Sequence, residues 1–386
     1  MKLKNLFFIM KYPTCVAETL KRKFDGQMNA CIELGCNVSY MQWDGNAFYL
    51  VNKQTGESRL LLKTKLFMSQ EKYYHTLYFI DMYRAAIKAL SLVNFDGIYM
   101  RSMPVFPPIE SLVRKIKKKK IFFIQEIPTY LSGDKQEKRL KSSVVRRIGS
   151  KISRYYADMV TSNVDLFTAI GDDTNGTLYN KPALNIDNGI DVSAITMRNF
   201  KPQKDTLNFL LLASMCYWHG YDRIISALKH YKGKEKVLFH FVGNDGDGSL
   251  SKWKELAAEL GVEDKVVFHG AIYGKELDEF INSMDVGIGS LGMYRIGLET
   301  GTIMKAREYM ARGIPLVYGC YDPAIEKECE FAMQVSNDDT PLDIDKIVEF
   351  ALNMREKNNV SLNMRKYAES NMSWTSQFEK IFQKIV

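Results

Sequence analysis

The chain of 386 residues predicts an α/β protein built of two Rossmann-like domains, each a parallel sheet wrapped by helices. Three observations carry that expectation. The length exceeds what one core usually fills. Short apolar runs alternate with amphipathic stretches of helical length, the order that builds parallel sheets. The alternation also breaks once, near residues 195–203, where charge and proline rise, and then restarts. The expected domains are therefore 1–197 and 198–372.

In the first half, LKNLFFIM is a buried strand, followed by a helical stretch from about Phe24 to Leu34 that stops at Gly35. NVSYMQW alternates as the next strand. A long amphipathic helix is expected over Tyr73–Ser91, and GIYM and IFFIQE return as strands. DMVTS closes this half, and Leu184–Ile186 leads into a turn at Asn188-Gly189. In the second half LNFLLLAS, VLFHFVG, VVFHG, VGIGS and IPLVYG are strands. Between them DRIISALKHY, LSKWKELAAELG, Lys275–Ser283 and a charged stretch ending at Gly313 are helices. Open parallel sheets bind ligands at the carboxyl ends of their strands, so both domains are expected to face a central cleft.

Composition narrows the class. Apolar content of 46% and charged content of 25% are ordinary for a soluble globular protein. No apolar run is long enough to span a bilayer, and MKLKNLFFIMKYP breaks too soon for a signal peptide. The six cysteines show neither CxxC nor zinc spacing and suit a reducing compartment, so a cytoplasmic protein is expected. The net charge of +8 is uneven. Arg114–Lys120 is one cationic run. Between Lys135 and Arg154 there are eight Lys/Arg against one carboxylate, Glu137, and Leu140, Val144, Ile148 and Ile152 recur every four residues. A basic amphipathic helix of that kind suits either an anionic membrane surface or packing on its own domain. No nucleic-acid motif appears, and the basic runs have few interleaved aromatics, so no nucleic-acid partner is expected.

Several chemistries lose their warrant. The first strand runs into KYPTC, without the GxGxxG of a dinucleotide site, and no GKS or GKT closes a P-loop. VGNDGDG, which includes Gly243, reads instead as a loop that lets a ligand approach closely. The informative stretch is Ile288–Val317. A short apolar run passes through a Gly-rich loop into a helix with Lys305, Arg307 and Glu308 near its start. Such a turn aims free backbone N–H groups and the positive helix end at one point, which suits a phosphate. Lys305, Glu308 and Arg312 share one face at i, i+3 and i+7. A cation and a carboxylate beside a phosphate turn can grip the diphosphate and ribose of one nucleotide. In the first half Arg101 follows GIYM and Glu126 follows IFFIQ, both at strand carboxyl ends, where ligands of such sheets bind. His75, His230, His240 and His269 have no ligand spacing.

The C-terminal half resembles the GT-B-fold retaining glycosyltransferases (glycosyl transferases group 1, family 4-like). NGID (188–191), HGYDRIISAL (219–228), FVGNDGD (241–247), VVFHGAIYGKEL (266–277), MDVGIGSLGMYRIGL (284–298), KAREYMARGIPLV (305–317) and MSW (372–374) stand in that family's order. EIPTY (126–130), SLGMYR and KAREYMARG resemble a bacterial subset that serves surface polysaccharides. The resemblance covers the second domain densely and the first thinly. It implies a GT-B fold whose last helix, 373–386, crosses back to the first domain, with hinge closure over the donor.

For function the resemblance implies sugar transfer from a nucleotide donor, most often a UDP-sugar, to a glycan or lipid-linked glycan acceptor. Transfer would be with retention and without a metal or other cofactor, in capsule, exopolysaccharide or cell-surface glycan synthesis. Backbone N–H groups of Ile303, Met304 and Lys305 would hold the β-phosphate, with Lys305 and Arg295 as cations at the leaving group. Glu308 matches the carboxylate that binds the ribose hydroxyls, and Ile272 the position that reads the base through its backbone. Gly26, in Asp25-Gly26-Gln27, matches the backbone near the donor phosphates. Gln27, Arg101, Glu126 and Tyr130 would form the acceptor side, with Glu126 orienting a hydroxyl or stabilising charge on the sugar. Two departures stand out: Thr300 replaces a first glutamate, leaving Glu299 one residue off, and His219 replaces a lysine before Gly220. A non-catalytic partner subunit and a sugar-nucleotide epimerase of the same fold are the alternatives.

Overall fold

The protein is described by a computed structural model covering residues 3–12, 18–64, 77–130, 155–171 and 173–385. It forms two compact units, Met1–Asp187 with Trp374–Val386, and Asn188–Ser373. Residues 135–154, which hold the basic amphipathic stretch, lie outside the described residues.

The first unit contains β1 (Asn5–Ile9), β2 (Asn37–Trp43), β3 (Ala47–Asn52), β4 (Ser58–Lys63), β5 (Gly97–Arg101), β6 (Phe122–Tyr130), β7 (Leu166–Gly171), β8 (Thr177–Leu178) and β9 (Lys181–Asn185). Among the described residues they form one sheet, ordered β4-β3-β2-β1-β5-β6-β7-β9-β8. The run from β2 through β9 pairs in parallel, while β2–β3, β3–β4 and β8–β9 are antiparallel. The strand NLFFI is apolar at consecutive positions because both its faces are covered. Phe7 and Ile9 pack with α2 (Tyr78–Leu92) and α3 (Pro108–Lys118). Leu6 and Phe8 pack with α1 (Glu18–Glu33) and with α10 (Trp374–Ile385), the returning C-terminal helix. The Phe378 ring of α10 lies 5.2 Å from that of Tyr99 and 6.2 Å from that of Phe8.

Three local expectations change. Helix α1 begins at Glu18, ahead of Phe24. DMVTS lies in a helix, residues 155–162, and the strand that follows it is β7. The hairpin of β3 and β4 was not legible because its turn carries no Asn-Gly pair. The Asn52 side chain instead accepts from the backbone N–H groups of Gln54 and Thr55.

The second unit contains β10 (Leu207–Leu212), β11 (Val237–Val242), β12 (Val266–Gly270), β13 (Val286–Ile288), β14 (Leu316–Tyr318) and β15 (Ala332–Gln334). Their order is β12-β11-β10-β13-β14-β15, every pair parallel. The helices are α4 (Asp222–Leu228), α5 (Ser249–Leu260), α6 (Gly274–Phe280), α7 (Met304–Arg312), α8 (Ile344–Glu356) and α9 (Val360–Tyr367). On β10, Phe209 and Leu211 face Ile224, Trp253 and Ile347, while Leu210 faces Leu277, Met310 and Met364. From β10 the chain winds outward to β11 and β12. From β13 it winds the other way, to β14 and β15. The carboxyl ends of β10 and β13 are thus the switch point of this sheet, where a crevice opens between diverging loops. Among the described residues no helix is long and apolar enough to cross a membrane.

Candidate functional site at the switch point of the second unit

The loop after β13 ends at Ile303, the N-cap of α7, in extended conformation and without a side-chain cap. Among the described residues the backbone N–H groups of Ile303, Met304 and Lys305 make no hydrogen bond. Three donors and the positive end of a helix therefore stand open together. Gly313 ends the helix. The charged residues near its start take different roles. Arg307 is fully buried and pairs with Asp322, while its Nε donates to the Asn188 carbonyl at 3.0 Å. Lys305, Glu308 and Arg312 lie on one face, as their spacing predicts. Arg312 Nε donates to Glu308 Oε1 at 2.9 Å and Arg312 Nη1 to Asp278 at 2.6 Å. Among the described residues Glu308 Oε2 makes no hydrogen bond, so one carboxylate oxygen is held and the other is open.

Lys305 reaches back toward the loop after β10. Its Nζ donates to Tyr221 Oη at 2.6 Å and lies 3.4 Å from His219 Nδ1. Burial pushes its ammonium down to about 7, against the pull of Glu308 and Cys216. His219 Nδ1 is also 2.9 Å from Ser290 Oγ. Burial, with Lys305 beside it, pushes the imidazole down to about 3, so His219 is neutral in neutral solution. The turn that carries it needs glycine. Gly220 has φ +65°, and a Cβ there would meet Gly292 N at 2.6 Å, so the loops after β10 and β13 touch backbone to backbone.

Arg295, expected as a second cation at the diphosphate, spends its guanidinium inside the protein. Nη1 and Nη2 each bond an Asp222 carboxylate oxygen at 2.8 Å, and Nη1 also donates to the Tyr217 carbonyl at 2.8 Å. The Asp222 hydrogen bonds push its charge still further from loss. What Arg295 holds in place is the turn before His219. Gly243 has φ +142°, and a Cβ there would fall 1.6 Å from the Ala213 carbonyl oxygen. The glycine is required by this close approach to the Ala213 backbone. Ile272 follows β12, and among the described residues its backbone makes no hydrogen bond. Glu299, beside Thr300, is exposed.

The expected acceptor residues, and Gly26 of the expected donor set, belong to the first unit and need correction. Gly26 and Gln27 lie inside α1, not in a loop, so the Gly26 N–H sits within a helix rather than at an open turn. Glu126 is not at a strand end, because β6 continues to Tyr130. The Tyr130 side chain falls outside the described residues. Glu126 is fully buried and accepts from Gln27 Nε2 at 2.6 Å and Tyr99 Oη at 2.7 Å. Lys23 Nζ stands 3.2 Å and Arg101 Nη1 3.9 Å from its Oε1. Burial raises its pKa, but the two cations and two hydrogen bonds outweigh it and hold the carboxyl below its ordinary range. Arg101 ends β5 with its guanidinium 5.3 Å from the Phe24 ring. Sequence reasoning missed Lys23, Tyr99, Tyr221 and Ser290. Tyr221 adjoins the His-Gly pair and was within reach, whereas the pairing of Lys23 with Glu126 spans two elements and leaves no local signal. His240 and His269 bond each other at 2.9 Å, and His240 Nε2 meets Asn208 at 3.0 Å.

Residues 194–369 match the family model for glycosyl transferases group 1. No curated protein sequence matches the chain. Among solved structures, a glycosyltransferase from Rickettsia africae is similar with TM-score 0.61 at 14% identity, covering 99% of this chain and 98% of its own. Anabaena HepE in complex with UDP is similar with TM-score 0.59 at 11% identity, covering 99% of both chains. WaaG, a glycosyltransferase involved in lipopolysaccharide biosynthesis, is similar with TM-score 0.52 at 16% identity, covering 99% of both. Identities this low speak for the fold alone, and that fold is GT-B. The switch-point site lies inside the segment, residues 194–369, that matches the glycosyl transferases group 1 model, on a chain with the GT-B fold, and together these findings indicate a glycosyltransferase.

Proposed function

We propose that the protein transfers a sugar from a UDP-sugar to a glycan or lipid-linked glycan, with retention and without a metal, in the synthesis of a cell-surface polysaccharide. The observation that carries this reading is the open first turn of α7, with three unpartnered N–H groups beside Lys305 and one free oxygen of Glu308. Breaking a sugar–phosphate bond leaves a nucleoside diphosphate with added negative charge. Fixed N–H dipoles and a cation stabilise that charge without reorganising. Lys305 takes the leaving diphosphate together with the N–H groups of Ile303 and Met304. Glu308 accepts from the ribose, and the bare backbone of Ile272 reads the base. Arg295 acts one step removed, by holding the turn that presents His219.

The choice of UDP draws support from HepE, whose structures are described with UDP and with UDP-glucose. The cell-surface role draws support from WaaG and from WaaB, a lipopolysaccharide outer core galactosyltransferase. Retention draws support from the likeness to trehalose-6-phosphate synthase, studied for glycosyl transfer with retention. The first unit, with Arg101 and Tyr130, takes the acceptor, while Glu126 and Gln27 brace it from within. A lipid-linked acceptor fits a cytoplasmic protein that rests on the membrane. On α3, Ile109, Leu112, Val113 and Ile116 are buried, leaving Arg114, Lys117 and Lys118 exposed. The test is release of UDP from a panel of UDP-sugars in chelator, with acceptor glycans present. Turnover of one donor, lost in Lys305→Ala, is the expected result; turnover that needs a divalent metal, or survives Lys305→Ala unchanged, contradicts the mechanism.

A further inference from the structure

Lys305 and His219 make contacts that a simple phosphate grip does not require. Nζ of Lys305 lies 5.0 Å from the centre of the Tyr221 ring while donating to its hydroxyl. On its other side it faces His219 Nδ1 at 3.4 Å. An ammonium has no acceptor, so facing charged Lys305 the Nδ1 is unprotonated, and its one lone pair is shared between Lys305 and the Ser290 hydroxyl, 2.9 Å away. The imidazole is also stacked on Tyr221, 5.5 Å between centres and 20° between planes, which fixes its direction. Tyr221 thus takes one ammonium proton and His219, sharing its lone pair with Ser290, faces a second, while the third is left for a ligand.

The charged and titratable groups around this pair are few. Glu308 acts on Lys305 from α7, and Cys216 acts from the turn after β10. Asp247, from the loop after β11, acts on His219. Tyr221 precedes α4. Glu308 shares its other oxygen with Arg312, so Lys305 has no dedicated counter-charge. A second ammonium at position 219 would stand a few ångströms from the first, and like charges that close cannot both persist at ordinary pH.

We propose that neutral His219 is the positioning residue for Lys305: by accepting through Nδ1 it holds the ammonium at the α7 N-terminus without adding charge, so that a nucleoside diphosphate supplies the counter-charge and binds together with a proton on Lys305. The inference rests on the proposed nucleotide site. The depressed proton affinity of Lys305, about 7, sets the pH range. Above that pH free Lys305 is mostly neutral, and the diphosphate draws a proton onto it from solvent.

The experiment is calorimetry of UDP and GDP binding to the full chain between pH 6 and 9, in chelator and in buffers of different ionisation enthalpy. Lys305→Met serves to subtract the nucleotide's own titration. The expected result is an affinity that falls as pH rises above about 7, approaching about tenfold per unit, with uptake nearing one proton per site. In His219→Asn, whose Oδ1 replaces Nδ1 as acceptor, the profile stays within about half a unit of the wild type. In His219→Lys the fall moves down by about one unit or more. In His219→Phe affinity drops about tenfold even at pH 6, because the ammonium loses its second acceptor. A flat profile in the wild type overturns the inference, as does a His219→Lys profile that overlays it. Should His219→Lys not fold, an Asn variant that behaves like the Phe variant overturns it too. Binding of neither nucleotide at any pH sinks the nucleotide site itself, and this inference with it, whereas binding with a flat profile sinks the inference alone.

Discussion

Lys305, half-buried, and Glu126, fully buried, are charges whose surroundings give them opposite consequences. For Lys305 desolvation outweighs the pull of Glu308, and its proton affinity falls to about 7. A lysine lowered in this way costs stability that is fully present below about pH 7 and is relieved as pH rises toward the unfolded value. Lys305→Met should therefore raise the melting temperature of the unliganded protein at pH 6, with a gain that shrinks by pH 9. A constant or reversed gain contradicts the burial account. Glu126 has two cations and two hydrogen bonds, and its carboxyl is held below the ordinary range. Its stability contribution is present above the unfolded carboxylate pKa and lost as pH falls through the folded one. Glu126→Ala leaves Lys23 and Arg101 without their anion and should cost about 3–5 kcal/mol in urea unfolding. A loss under about 1 kcal/mol would return Glu126 to the list of catalytic candidates. The spacing of Lys305, Glu308 and Arg312 was legible because helical geometry fixes who shares a face. Arg295 was not, because Asp222 lies 73 positions away and nothing local announces the pair.

At the scale of elements, the site is a meeting of two loops at one switch point. The loop after β10 brings His219 and Tyr221, the loop after β13 brings Ser290 and Gly292, and α7 begins beside them. Gly220 and Gly292 set how closely the loops approach. Gly220→Ala would force a left-handed backbone on alanine and drive its Cβ into Gly292 N. We expect a loss of about 2–3 kcal/mol in stability and a weakening of UDP binding by tenfold or more. Equal affinity in that variant would separate the loop contact from the site. The strand–helix alternation of this unit was legible from apolar runs and glycine stops. The same signals misled in the first unit: Asp25-Gly26-Gln27 resembles a turn, yet the apolar face of α1 carries it as helix because Phe24 and Met28 are buried against the sheet. Tertiary packing overrode local preference there.

For the whole molecule, the chain closes its first unit with its last helix. Trp374, Phe378 and Ile381 fill the face of the sheet that Leu6, Phe8 and Tyr99 leave open. Phe378→Ala should cost about 3–5 kcal/mol, and ending the chain at residue 373 should leave the first unit unable to fold stably. Normal solubility and melting of that truncation would contradict the packing. That closure was expected from the family resemblance, whereas the breadth of the first sheet, nine strands among the described residues, was not, because edge pairings depend on contacts distant in sequence. The central claim concerns the second unit: that the open turn of α7, with Lys305 and Glu308, is a nucleoside-diphosphate site. The most direct measurement is calorimetric titration of the full chain with UDP and with GDP in the presence of chelator, repeated on Glu308→Ala. The account predicts that UDP binds the wild type more tightly than GDP and that Glu308→Ala weakens it by about tenfold or more, the loss of a charged hydrogen bond. Undiminished binding in Glu308→Ala, or no binding of either nucleotide to the wild type, would contradict it.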